Sequence, residues 1–320
     1  MANLIEVKNL KKYFSTPRGL LHAVDNVTFN IEKGKTIGIV GESGCGKSTL
    51  GKTLMRLHNP TSGQVMYKGA DIASMPIKEF KKNYRSHIQM IFQDPYASLD
   101  PRMSVLQLIE EPIQVNNKGM SKDEVTKRAK EMMELVGLAK RLEMSYPHEL
   151  DGGRRQRIGV ARALSLNPEF IVCDEPVSAL DVSIQAQILN LLQDLQRDRG
   201  LTYMFITHDM SVVKHISDDI AVMYLGQMIE KCPAKEIFKN TIHPYSQALL
   251  SAIPIPDVHL KKERIVLKGE LTSPIDPKPC CRFAARCPYA TDRCLAEEPV
   301  LRELKPGHSV ACHFAEKFMK

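Results

Sequence analysis

Apolar and polar positions follow two rhythms along this chain. Leu4-Ile5-Glu6-Val7-Lys8 alternates as a half-buried strand does, and a second strand candidate lies near residues 27–31. Thr36-Ile37-Gly38-Ile39-Val40 and Phe170-Ile171-Val172-Cys173 are short continuous apolar runs, the pattern of strands buried on both faces, and Tyr203-Met204-Phe205-Ile206 is a further strand. Helical spacing occupies residues 47 to about 57, 124–136, 155–166 and 184–195. Strands alternating with helices predict an α/β fold with a mainly parallel sheet and helices on its faces. The mostly helical block at about 95–166 reads as a subdomain inserted between the halves of that sheet. Beyond residue 253 the texture changes, with prolines at 254, 256, 274, 277 and 279. We therefore expect a main domain over residues 1–255 and an extension over 256–320.

Composition narrows the class. Apolar residues make up 43% and charged residues 25%, as in an ordinary globular protein. No run approaches the ~18 uncharged apolar residues of a membrane span, and the first residues lack the layout of a signal peptide. Attachment to a membrane is thus expected to run through partners. The formal net charge of +7 is spread without a long Lys/Arg block, which reads as a solvated basic surface and not as a nucleic-acid site.

The sharpest motif follows the first buried strand. Gly41-Glu42-Ser43-Gly44-Cys45-Gly46-Lys47-Ser48, with Thr49 next, fits the phosphate loop G-x4-G-K-[ST] between a strand and a helix. Its glycines let backbone amides turn inward around phosphate oxygens, Lys47 reaches the β- and γ-phosphates, and the Ser48 hydroxyl suits Mg²⁺. Far downstream, the strand at 170–173 ends in Asp174 and Glu175. Asp174 suits a water-mediated metal contact, and Glu175 suits polarising an attacking water.

With these motifs in this order, the chain resembles an ATP-binding subunit of an ABC transporter over about residues 4–255, with a P-loop NTPase core. The resemblance implies ATP and Mg²⁺ as ligands and assigns further roles. Tyr13 stands where an aromatic ring stacks on adenine, although a tyrosine beside Phe14 also suits a core position. Gln93, in Phe92-Gln93-Asp94-Pro95, matches the Q-loop, which contacts Mg²⁺ and the membrane partner. Ser178-Ala179-Leu180-Asp181 matches the D-loop, and His208 matches the switch histidine that touches the γ-phosphate. The signature, usually Leu-Ser-Gly-Gly-Gln, here reads Leu150-Asp151-Gly152-Gly153-Arg154. Asp151 remains a good helix cap but brings a negative charge toward a phosphate, and Arg154 and Arg155 are placed to offset it.

Gln93 to Pro101 and His243-Pro244-Tyr245-Ser246 narrow the resemblance to the oligopeptide and dipeptide importer branch, with nickel importers as close relatives. That branch implies two membrane-spanning permease subunits, an extracytoplasmic solute-binding protein and a place on the cytoplasmic face of the membrane. The departure at Asp151 adds the expectation of a heterodimer with a second ATPase subunit. A soluble ABC ATPase is disfavoured by the single phosphate loop and the lack of heptads.

Eight cysteines include five, Cys280, Cys281, Cys287, Cys294 and Cys312, crowded near the end of the chain. Such crowding without an export signal reads as metal or cluster ligation before disulfides. In some relatives such a tail carries a [4Fe–4S] cluster on four cysteines, here Cys281, Cys287, Cys294 and Cys312. Zn²⁺ and a metal-free docking role are the alternatives, and Cys280 could substitute for Cys281.

Overall fold

A computed structural model describes residues 2–253, 264–267, 269 and 272–319. The expected boundary near residue 255 lies outside the described residues. By internal contacts the chain divides into two compact units, Met1–Ser74 with Phe205–Lys320, and Met75–Met204.

The first unit opens with a long hairpin, β1 (Asn3–Thr16) and β2 (Gly19–Glu32), followed by β3 (Thr36–Val40), α1 (Lys47–Leu54), β4 (Ser62–Tyr67) and β5 (Ala70–Asp71). The alternation read at residues 4–8 is real, but the strand extends well beyond it. Leu4, Ile5, Val7 and Leu10 are buried, and β1 is paired antiparallel on both sides, to β2 and to β4. Asn9, at positive φ, interrupts that alternation. The four strands order β2-β1-β4-β5.

The second unit contains α2 (Ile77–Asn83), β6 (Ile88–Ile91), α3 (Val105–Asn116), α4 (Lys122–Leu135), α5 (Gly152–Leu164), β7 (Phe170–Asp174) and α6 (Val182–Arg199). Parallel pairing joins β6 to β7, and every residue of β7 is buried, as its unbroken apolar run requires. Reciprocal capping boxes start α3 at Ser104 and Gln107 and α4 at Ser121 and Glu124. The α4 helix begins two residues earlier than its apolar spacing suggests because the box, not the first apolar residue, sets the start. The chain then enters β8 (Thr202–Ile206), which lies beside β7 and is likewise buried throughout.

The remainder of the first unit runs through α7 (Met210–Ile216), β9 (Asp219–Tyr224), β10 (Gln227–Pro233), α8 (Ala234–Ile237), α9 (Pro244–Ser251), α10 (Asp292–Ala296), β11 (Arg302–Lys305) and β12 (His308–Val310). Its larger sheet orders β11-β12-β10-β9-β3. Parallel pairing holds between β3 and β9, whereas β9, β10, β12 and β11 run antiparallel in turn. The late strands are therefore an antiparallel addition to a parallel centre.

A buried polar group fastens that addition. Glu230 of β10 is fully enclosed; it accepts hydrogen bonds from the amides of Ile242 (2.8 Å) and His243 (3.1 Å) and lies 2.8 Å from His308 Nε2 of β12. A carboxylate can be buried only with such partners. Near the start of the segment, the amide of His22 donates to Pro274 O at 2.9 Å and Leu21 bridges Ile275. The cysteine-rich end is thus woven into the unit that carries the phosphate loop.

Candidate functional site

The turn after β3 is dictated by close backbone contacts. Gly46 has φ 105°, and a Cβ there would lie 2.0 Å from Ala23 O. Gly41, at φ 154°, would bring a Cβ within 2.3 Å of Met223 O. Only glycine fits either position. The turn delivers Lys47 to the first position of α1, where it is 4% exposed, and its Nζ donates to Gly41 O (2.8 Å) and Glu42 O (2.9 Å). The ammonium is thereby held against two carbonyls of the loop at the start of α1, and a positive charge beside a helix N-terminus suits an anion. Ser43 and Gly44 are exposed, Ser48 and Thr49 are half-buried, and Cys45 is buried. Burial pushes the Cys45 thiol up, so it packs as a small apolar group.

His208 follows β8 in the same unit and is exposed. The amide of Thr207 just before it donates to Ile39 O of β3 at 3.1 Å, and Asp209 just after it caps α7 through the Ser211 amide at 2.7 Å. The histidine is therefore held between two fixed neighbours, adjacent to the strand that leads into the phosphate loop.

Tyr13 is half-buried in the same unit. Its ring stacks on His22 with centroids 3.8 Å apart, and its hydroxyl donates to Asp25. Asp25 also meets His22 Nδ1 at 3.0 Å and the guanidinium of Arg282. Burial pushes the Asp25 carboxyl up, but the donors Tyr13 and His22 and the charge of Arg282 outweigh it and leave it below the usual carboxylate range. Tyr13 itself is pushed up, by burial first and by the bond to Asp25 second, so its phenol stays protonated.

In the second unit, β7 ends on Asp174, 3% exposed, and the next residue, Glu175, has φ 46°. A left-handed backbone at a carboxylate is strained and is retained where surrounding bonds over-determine it. Here Ser178 does so: its hydroxyl donates to Glu175 O at 3.1 Å. The side chain of Glu175 accepts from Gln93 Nε2 at 3.1 Å, which joins the two residues that the motifs placed 82 positions apart. Asp181 caps α6 by accepting from the Ile184 amide at 3.0 Å.

The signature segment starts α5. Asp151 accepts from the Arg154 amide at 2.8 Å, and Arg154 Nε lies 3.4 Å from its other oxygen. Arg155 does not share this role: its Nε donates to Pro147 O at 2.7 Å and its guanidinium lies over Tyr96. The expectation of two arginines offsetting Asp151 is thus corrected to one. Gly153 lets α5 approach α6, since a Cβ there would lie 2.6 Å from Ile184 Cγ2, and Gly152 lies against Leu180, just before α6. Gly153→Ala is expected to lower the thermal midpoint. The overpacking cost of ~1–3 kcal/mol exceeds the ~1 kcal/mol gained in helix propensity. An unchanged or raised midpoint by calorimetry would refute this.

The cysteines Cys281, Cys287, Cys294 and Cys312 line one small cavity in the first unit, with His243 and several aromatic rings. Three of the sulfurs accept backbone hydrogen bonds, Cys281 from Phe283, Cys287 from Tyr289 and Cys312 from Phe314. Burial pushes the Cys281 thiol up to about 12, and those of Cys287 and Cys312 upward as well. Among the described residues, no group of three or more His, Cys, Asp or Glu side chains has the geometry to hold a metal ion. The four thiols share a cavity without forming a coordination shell.

Sequence reasoning missed the residues that brace this site: His22, Asp25, Tyr245, Arg282 and Arg286. Of these, Tyr245 stood inside a motif, His243-Pro244-Tyr245-Ser246, and a further bracing residue, Glu42, occupies a variable position of the phosphate loop. Its side chain receives both guanidinium nitrogens of Arg286 at 2.7 and 3.1 Å, and its amide donates to Tyr245 Oη at 3.0 Å.

Residues 24–178 match the family model described as ABC transporter, and residues 229–294 match that described as oligopeptide/dipeptide transporter, C-terminal region. The oligopeptide transport ATP-binding protein AppF of Bacillus subtilis (strain 168) is 50% identical over 319 residues, covering 97% of this chain and 97% of its own. OppF of the same organism is 47% identical over 313 residues, covering 98% and 97% respectively. Among solved structures, the dimeric structure of MJ0796, a bacterial ABC transporter cassette, is 32% identical with a TM-score of 0.66 and covers 72% of this chain and 98% of its own. No helix among the described residues is long and apolar enough to cross a membrane. The chain therefore belongs to the ABC transporter family and is an ATP-hydrolysing subunit of its oligopeptide/dipeptide importer branch.

Proposed function

We propose that this chain binds MgATP and hydrolyses it to drive uptake of di- and oligopeptides through a membrane complex, working on the cytoplasmic face. The observation that carries this reading is the near-full-length identity with oligopeptide transport ATP-binding proteins, which spans the C-terminal segment as well as the nucleotide motifs. The phosphate-loop amides of residues 41–49 and Lys47 bind the β- and γ-phosphates, and Tyr13 meets the adenine. Ser48, Gln93 and Asp174 would hold Mg²⁺, which supplies charge neutralisation across the phosphates. Glu175 accepts the proton of the attacking water, or orients it, and His208 contacts the γ-phosphate. Ser178 and Asp181 belong to the D-loop that follows Glu175. The partners are two permease subunits, a second ATPase subunit and, through the permeases, an extracytoplasmic solute-binding protein. Co-purification from membranes with a tagged chain tests this directly. Recovery of two permeases and a second, different ATPase is expected, with ATP turnover stimulated by peptide-loaded binding protein. Recovery without permeases would overturn the reading.

We further propose that Cys281, Cys287, Cys294 and Cys312 take up a [4Fe–4S] cluster, around which their side chains would have to close, since they form no coordination shell without it. Three features support it: one shared cavity, backbone amides aimed at three sulfurs, and an apolar wall. Amides donating to sulfur favour the thiolate, and metal binding supplies the deprotonation that burial otherwise resists. These four cysteines would be cross-linked by a bound cluster, which would supply a one-electron couple. Anaerobically purified protein is expected to contain about four irons per chain and to absorb in the visible blue. Cys287→Ser should lose both. Zinc in place of iron, or no metal at all, would refute the cluster.

A further inference from the structure

Two arginines of the C-terminal segment grip the nucleotide-binding unit at two separate places. Both lie on one short turn, immediately inside the cavity cysteines: Arg282 follows Cys281, and Arg286 precedes Cys287. Arg286 is 10% exposed and forms the two-pronged bond to Glu42 described above, with its guanidinium also lying 5.9 Å from the Tyr224 ring centroid. Arg282 is 5% exposed and donates to Asp25 and to Leu225 O. Neither arginine belongs to a nucleotide-binding motif.

Glu42 is an awkward residue for its position. A carboxylate within a loop that cradles a polyanion opposes the ligand electrostatically unless it is neutralised and turned away. Arg286 neutralises it and pins it in place, since a guanidinium fork fixes the direction of a carboxylate as well as its charge. The rest of Glu42 is equally tied: its carbonyl accepts from Lys47 Nζ and its amide donates to Tyr245. Every polar group of Glu42 is thus held, and the side chain depends on the tail. At the other end, Arg282 fixes Asp25, which in turn fixes the Tyr13 hydroxyl and the His22 ring against which Tyr13 stacks.

We propose that Arg286 and Arg282 are positioning residues for ATP, Arg286 acting on the phosphate loop through Glu42 and Arg282 acting on the base-contacting ring through Asp25. The second half rests on Tyr13 meeting the adenine; the first rests only on the phosphate loop. The C-terminal segment thereby sets nucleotide affinity from outside the nucleotide motifs.

The two arms separate by ligand. Binding of MgATP and of magnesium tripolyphosphate, which has no base, is measured by calorimetry on the full chain and its variants. Arg286→Ala is expected to weaken both ligands by about tenfold, the scale of one charge-assisted hydrogen-bonded pair. Glu42→Gln added to Arg286→Ala should restore most of that loss, because the unpaired carboxylate is gone. Arg282→Ala should weaken MgATP by about tenfold and leave tripolyphosphate within about twofold, the scatter expected of uncoupled changes. Should Arg286→Ala not fold, Arg286→Gln carries the same test with the same expected loss. Unchanged tripolyphosphate affinity in the Arg286 variant, or no recovery in the double variant, overturns the phosphate arm. Equal weakening of both ligands by Arg282→Ala marks general destabilisation and overturns the base arm. Tyr13→Ala with undiminished MgATP affinity would remove the adenine reading and the base arm with it, leaving the phosphate arm to its own result.

Discussion

Glu175→Gln is expected to lower ATP turnover in the assembled transporter by roughly 10²–10⁴-fold, the range for loss of a positioned general base, while nucleotide binding persists. The substitution preserves shape, so the strained backbone at φ 46° and the Ser178 bond to the Glu175 carbonyl should survive. Only the carboxylate that accepts from Gln93 is lost, and an amide can present its own oxygen to the same donor. Binding and hydrolysis therefore separate at this residue. They are not expected to separate at Lys47, whose buried ammonium is proposed to meet the phosphates directly. Lys47→Ala should weaken nucleotide binding itself. Phosphate release and filter binding on both variants check the pair. Normal turnover in Glu175→Gln would sink the assignment of the base.

The nucleotide motifs were legible because each rests on local chemistry. The unbroken apolar run at 36–40 leads into glycines that a tight turn requires, and the run at 170–173 ends in two acids; all five residues of β3 and of β7 are buried. The strands β9 and β10 carry a weaker local signal: residues 220–225 are apolar throughout, and such a run does not distinguish a strand from a buried helix or show an antiparallel partner. The bracing of the site was beyond reach for another reason. Arg286 and Glu42 are 244 positions apart, and Arg282 and Asp25 are 257 apart. Nothing in the local pattern of an exposed-looking arginine among cysteines tells which carboxylate it will meet. The tail is brought back to this unit by the antiparallel addition of β12 to β10, fixed by the buried Glu230–His308 contact, and by the bridge of Leu21 to Ile275.

Loss of Lys47 is expected to abolish turnover of the assembled transporter, whereas loss of the matching lysine in the second ATPase subunit should reduce it only partly. The reason lies at Asp151. In this family two subunits close head to tail, and the signature of one caps the γ-phosphate bound by the other. Here the Asp151 carboxylate already takes the Arg154 amide of α5, a donor at the very helix terminus that the phosphate would use. Its remaining charge meets only Arg154 Nε at 3.4 Å, in a pair with both side chains about half exposed, and such pairs are largely screened. Arg155 is engaged elsewhere. The site capped by this chain's signature is therefore expected to be weak or non-hydrolytic, and the phosphate loop of this chain is expected to take its signature from another subunit. A two-fold homodimer would place Asp151 in both sites. A related subunit carrying the usual serine would leave one competent site, the one built on Lys47. Asp151→Ser provides the converse test: it should strengthen the partner's site and bring the two lysine variants closer in effect. The asymmetry is defeated by a purified homodimer of this chain with full, transport-coupled ATPase activity.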